Sequence, residues 1–188
     1  MAEVLLFHHA LGLTEGVLAF ADGIRQAGHT VHTPDLYDGH TFTTVDEGLA
    51  YARKVGVQER GVRAAADLPT GLVYGGFSLG VMAAQQLAQT RPGARGALFF
   101  HSCLPVEEFG DAWPADVPVQ IHAKEADPFF VDDGDLEAAQ ALVASAPRAE
   151  LFVYPGNEHL FLDSGLADFD AEATELVSRR VKDFLAAL

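Results

Sequence analysis

A regular alternation of segment types restricts what this sequence can fold into more than any other feature. Short apolar or β-branched runs at Val4–His8, His29–Thr33, Gly71–Gly75, Gly96–His101, Val117–His122 and Leu151–Tyr154 are separated mostly by longer stretches of helical composition. Runs of that length predict strands, and the stretches between them predict helices. Thr14–Ala27 opens on Thr-Glu-Gly, spaces Val17, Leu18 and Ile24 among polar positions and stops at Gly28, as a capped helix does. Thr44–Leu68, Leu79–Thr90, Asp133–Ser145 and Asp168–Leu188 follow the same grammar, the last with Leu176, Val177, Val181, Phe184 and Leu185 on one face. Strands alternating with helices predict a mostly parallel sheet with helices on both faces, a three-layer α/β sandwich. The segment "SCLPVEEFGDAWPAD" carries two prolines and is expected to be a loop with room for one helical turn. Without a long insertion, repeat or low-complexity tract, residues 1–188 are expected to form one domain with no lid domain.

Composition narrows the function classes. Hydrophobic residues make up 49% and charged ones 21%, an ordinary globular profile. A formal net charge of -15 argues against nucleic acid or an anionic membrane as partner, because phosphate neutralisation and polybasic attraction are both lacking. The single cysteine, Cys103, cannot form an intramolecular disulfide, so a cytoplasmic setting is the expectation. The start "MAEVLLFHHALG" lacks a basic n-region, and its apolar stretch is too short for a signal peptide.

In open α/β sheets ligands bind beyond the carboxyl ends of the strands. There the stretch "LVYGGFSLGVMA" places Ser78 between Gly76 and Gly80, in a G-x-S-x-G pattern. Alone such a motif is weak, and small residues for close helix–sheet packing would also explain it. Its setting is stronger: an apolar strand hands over to a helix, the context a nucleophile elbow needs. The Leu79 N–H would then point at a developing oxyanion. A serine nucleophile needs a base, and the base an orienting acid, in chain order Ser, Asp or Glu, His. His159, in "YPGNEHLF", follows the last predicted strand; His122 lies inside one, and no predicted acid-bearing strand end separates His101 from Ser78. For the acid, "AKEADPFF" offers Glu125 and Asp127, and Pro128 biases Asp127 toward the extended turn conformation favoured there.

With these residues in place, the chain resembles the dienelactone hydrolase family of α/β-hydrolases. The likeness runs through "VLLFHHALGL", "AGHTVHTPDLYDG", "GGFSLG", "AKEADPFF" and "YPGNEHLF", nearly the whole length. It implies Ser78, Asp127 and His159 as a triad, with the backbone N–H groups of Ala10 and Leu79 as oxyanion hole. The chain departs from the type members at three places. They carry a cysteine at the elbow where Ser78 stands, a glutamate where His9 stands, and an arginine shortly after the catalytic histidine, where "HLFLDSG" offers Asp163. A serine esterase or thioesterase acting on a small ester, lactone or thioester through an acyl-enzyme is the implied activity. The alternative is a hydrolase-like protein that binds a ligand without turnover.

No H-E-x-x-H or Cys/His spacing is present, so neither metal nor cofactor is expected, although His8, His9, His101 and His122 fall near strand ends. Candidate pocket residues are His9, Tyr37, Phe77, Leu104, Trp113, Phe129 and Phe161, each of which core packing would also explain. Phe130 belongs with them. Arg53, Lys54, Arg60 and Arg63 are candidates for contacting a substrate carboxylate, with nothing to choose among them.

Overall fold

Six strands make one sheet in the computed structural model, which describes residues 1–188. They are β1 (Glu3–Phe7), β2 (Thr30–His32), β3 (Val73–Phe77), β4 (Gly96–Phe100), β5 (Val119–Lys124) and β6 (Ala149–Tyr154). The spatial order is β2-β1-β3-β4-β5-β6, and every pairing is parallel. The connecting helices are α1 (Glu15–Gln26), α2 (Val45–Val55), α3 (Val57–Ala64), α4 (Val81–Thr90), α5 (Pro128–Val131), α6 (Asp135–Ser145) and α7 (Ala171–Ala186).

Alternation along each strand divides the core in two. On β1, Val4 and Leu6 join Val17, Phe20, Val177 and Val181 of α1 and α7, whereas Leu5 and Phe7 join Ala84, Leu87 and Leu142 of α4 and α6. Burial on both faces explains why the strands are continuous apolar runs instead of alternating ones.

The boundaries differ from expectation in instructive ways. The single helix expected over Thr44–Leu68 breaks at Gly56, whose φ of 64° caps α2 and redirects the chain into α3. Strands β3 and β5 run further toward their carboxyl ends than the apolar runs suggested. Gly76 and Phe77 stay paired with β4, and Ala123 and Lys124 with β6. A single 3-10 turn, Val106–Glu108, occupies the expected loop. The short α5 was not foreseen; Asp127 caps it by accepting from the Phe129 N–H, with Pro128 in its first turn.

The chain passes from β1 outward to β2, then returns to the other side of β1 for β3. That reversal opens a crevice above the carboxyl ends of β1 and β3. No helix is long and apolar enough to cross a membrane.

Candidate active site

Ser78 directly follows β3 with φ at 47°, a conformation that an L side chain rarely adopts. The flanking glycines make that turn possible. A Cβ on Gly76 would overlap the Gly80 carbonyl, and one on Gly80 would lie 2.7 Å from the carbonyl oxygens of Phe7 and His8. The elbow is therefore pressed against the end of β1. Gly76→Ala is expected to lower unfolding stability by about 3 kcal/mol or more, read as a reduced urea midpoint, because backbone and not a flexible side chain blocks the methyl.

Strand order brings the other groups to the same mouth. Asp127 and His159 lie beyond β5 and β6, which pair directly. His159 Nε2 is 2.8 Å from Ser78 Oγ, and His159 Nδ1 is 2.6 Å from Asp127 Oδ2. With Nδ1–H donating to the carboxylate, Nε2 is left to accept a hydrogen bond from the Ser78 hydroxyl. Asp127 is fully buried, and its other oxygen accepts from the Phe129 N–H at 3.0 Å. Glu125, the alternative acid, is exposed and makes no side-chain hydrogen bond to the imidazole. Ala10 sits on the loop after β1, beside the elbow, and its N–H donates to no acceptor within the chain. The Leu79 N–H lies in the 3-10 turn Ser78–Gly80 that leads into α4.

The two positions where the chain departs from the resemblance meet each other. His9 Nε2 is 2.8 Å from Asp163 Oδ2, both residues being buried. His9 Nδ1 accepts from the Leu11 N–H, so Nε2 carries the proton and donates to Asp163. Asp163 also accepts from the Thr14 hydroxyl at 2.5 Å and the Gly165 N–H at 2.8 Å. Burial alone would raise the Asp163 pKa, but the hydrogen bonds from His9, Thr14 and Gly165 outweigh it and hold the carboxyl below its usual value.

A cleft of about 230 Å³ opens at Ser78, room for a small ligand. Val45, Leu49, Leu79, Met82, Leu104 and Phe129 give it an apolar lining, and His101, Ser102, Asp133 and Asp135 supply polar groups. Of the expected pocket residues, Leu104 and Phe129 are there and five are not. Tyr37 and Trp113 are buried in the core on the α4 side of the sheet, Phe77 and Phe161 in the core on the α1 side, and His9 is consumed by Asp163. Phe77 is the last residue of β3, so its side chain follows the strand alternation into the sheet–helix interior and not into the crevice. Phe130, likewise fully buried, packs into the α4-side core.

None of the four cations proposed for a substrate carboxylate lines the cleft. Arg60 is held by Asp38 and the Leu36 carbonyl, and Lys54 borders a separate open groove with Phe42 and Tyr51. No sequence motif marks Val45, Leu49, Met82, Asp133 or Asp135 as cleft residues. Helical spacing marks Val45 and Leu49 as ordinary core, and acids at the start of α6 resemble helix-terminus charges. A larger groove of about 570 Å³ lies at the far end of β5 and β6, around Pro118, Arg148 and Arg180, and contains no nucleophile.

A parallel sheet whose strand ends carry a strained serine turn, an acid and a histidine, in that chain order, defines an α/β-hydrolase fold. Within that class the chain belongs to the dienelactone hydrolase family, which it matches over residues 1–188. A stretch of 75 residues, 40% of this chain, is 35% identical to the "Putative carboxymethylenebutenolidase" of Azospirillum brasilense and spans 32% of that protein, about a third of its length. Among solved structures, the "Dienelactone Hydrolase-like Promiscuous" phosphotriesterase P91 from metagenomic libraries superposes with a TM-score of 0.75 at 19% identity, covering 100% of this chain and 87% of that one. The "Putative Dienelactone Hydrolase" of Klebsiella pneumoniae does so with a TM-score of 0.73 at 21% identity, covering 100% and 88%.

Proposed function

We propose that this protein is a serine hydrolase that cleaves a small carboxylic ester through an acyl-enzyme on Ser78. The single observation that carries the reading is the continuous hydrogen-bond line from Ser78 Oγ through His159 to the buried Asp127. Ser78 Oγ attacks the carbonyl carbon while its proton passes to His159 Nε2. The carbonyl π pair moves onto oxygen, where the N–H groups of Ala10 and Leu79 receive the charge. Collapse expels the alcohol, which takes the proton from His159. Water, activated by the same imidazole, then attacks the acyl carbon and releases the acid and Ser78. Asp127 stays ionised throughout and holds the imidazole tautomer.

Membership of the family supports hydrolysis, and the names of the relatives favour esters or lactones. The small cleft favours a compact substrate. Labelling the intact protein with a fluorophosphonate, followed by peptide mass spectrometry, tests the nucleophile. A single adduct on the peptide containing Ser78 is expected. A folded protein with no adduct would instead favour the non-catalytic, ligand-binding reading.

A further inference from the structure

The two ends of the peptide unit that joins His9 to Ala10 are treated differently. Its N–H, the proposed oxyanion donor, is the Ala10 amide that finds no acceptor within the chain. Its carbonyl, that of His9, accepts twice: from the Gly12 N–H at 3.1 Å and from the His8 ring, through Nδ1, at 2.8 Å. His8 directly follows β1 and is 1% exposed. No step of the hydrolytic sequence uses its side chain.

The other nitrogen of the ring fixes the direction of this contact. His8 Nε2 lies 3.1 Å from the Leu36 N–H, a group that can only donate, so Nε2 must accept. The neutral ring therefore carries its proton on Nδ1 and donates it to the His9 carbonyl. Burial, the largest influence, lowers the His8 pKa to about 4 and keeps the ring neutral at neutral pH. Tyr37, itself fully buried, packs edge-on against the imidazole with ring centroids 4.7 Å apart and holds its plane. The next peptide unit is braced from elsewhere. A Cβ on Gly48 would stand 1.9 Å from the Ala10 carbonyl oxygen, so α2 rests directly on that oxygen.

We propose that His8 is a positioning residue: through Nδ1–H it sets the His9–Ala10 peptide so that the free N–H is aimed at the developing oxyanion. This rests on the serine hydrolase reading and assigns that reading one further residue. A trans peptide is planar, with N–H and C=O pointing in opposite directions, so a donor that fixes the oxygen also fixes where the hydrogen points. The Gly12 bond alone leaves the plane free to tilt about one contact; the His8 bond removes that freedom. Hydrogen bonds at the oxygen also polarise the amide, which makes its N–H a stronger donor. Orientation settled before the reaction is what gives oxyanion donors their effect.

Two substitutions separate the nitrogens. His8→Asn places an amide N–H₂ where Nδ1 stood and removes the acceptor for Leu36; His8→Gln keeps that acceptor and removes the donor to His9. Each breaks one buried hydrogen bond, so both should lower the urea midpoint. Only the glutamine variant should lose transition-state stabilisation. With para-nitrophenyl butyrate, His8→Gln should lower kcat and kcat/KM alike, by about tenfold. It should weaken inhibition by propyl trifluoromethyl ketone, whose adduct on Ser78 carries an oxyanion, by about tenfold as well. His8→Asn should stay within about threefold of wild type on all three measures. Wild-type kcat in the folded glutamine variant, equal losses in both variants, or a slower enzyme with unchanged ketone inhibition would each overturn the inference. NMR of the wild type supplies a readout that does not depend on how the variants fold. The His8 ring should be the Nδ1–H tautomer, and the ketone should move the Ala10 amide proton downfield; an Nε2–H tautomer or an unmoved amide overturns the inference. Each of these results leaves the hydrolase reading standing where wild type turns the ester over and takes the fluorophosphonate on Ser78. A wild type that does neither removes that reading and this inference with it.

Discussion

Ser78→Ala is expected to reduce kcat/KM for any accepted ester by about 10⁵-fold, leaving only the residual rate that oxyanion donors and binding can support. The size follows from the local inventory. Ser78 Oγ is the hydroxyl hydrogen-bonded to His159, and the other serine of the cleft, Ser102, is committed to Asp135. Water reaching the vacated position lacks the fixed approach that makes the serine effective. Stability should barely move, because alanine inherits the same φ of 47° and loses only the hydrogen bond to His159. Ser78→Gly separates catalysis from strain. It should be as inactive as the alanine variant yet more stable than it by about 1 kcal/mol, since glycine adopts positive φ without steric penalty. Steady-state kinetics and urea unfolding on the two variants measure both effects. Retained turnover in Ser78→Ala would remove the nucleophile assignment; equal stability of the two variants would show that the elbow stores no strain.

The layered fold and the triad candidates were legible for one reason: each depends on local chemistry in a fixed chain order. Apolar runs become strands because both sheet faces are covered, and the elbow glycines are demanded within five consecutive residues, Gly76 to Gly80. The cleft wall was not legible, because it is assembled from α2, α4, the loop after β4 and the start of α6. No spacing in the sequence ties Val45 or Leu49 to Asp135. Four of the aromatic candidates lie outside the cleft for a related reason. Tyr37, Phe77, Trp113 and Phe161 have the composition of a pocket, but strand alternation and loop packing turn each into the core. His9 and Asp163 illustrate the same boundary. Each stood out singly as a departure from the family pattern, yet their contact joins positions 154 apart and only the folded chain reveals it.

That contact carries the second large effect. Asp163→Ala is expected to destabilise the protein by about 3–5 kcal/mol, because three donors lose a buried charged acceptor at once. The loss has identifiable parts: the His9 Nε2–H, the Thr14 hydroxyl and the Gly165 N–H all lose their acceptor. Thr14 also caps α1 by accepting from the Val17 N–H, so freeing its hydroxyl loosens the start of that helix. Asp163→Asn keeps one acceptor but turns an amide N–H₂ toward groups that are all donors, and should cost about half as much. The pH dependence has a definite sign. Because the folded state holds the Asp163 carboxyl below its ordinary pKa, this contribution is present above the unfolded carboxyl's value and is lost as pH falls through the folded one. Wild type should therefore lose more stability on acidification than Asp163→Ala, and the two curves should converge at low pH. Turnover should fall as well if the proposed roles hold, since His9 precedes Ala10 and Asp163 follows His159 on its loop, so the pair ties the loop of the proposed oxyanion donor to the loop bearing His159. Urea midpoints across pH, with kcat at a pH where both proteins are folded, decide the matter. Parallel stability curves for the two proteins would show that Asp163 is not ionised in the fold, and an unchanged kcat would show that the tie does not position the oxyanion donors.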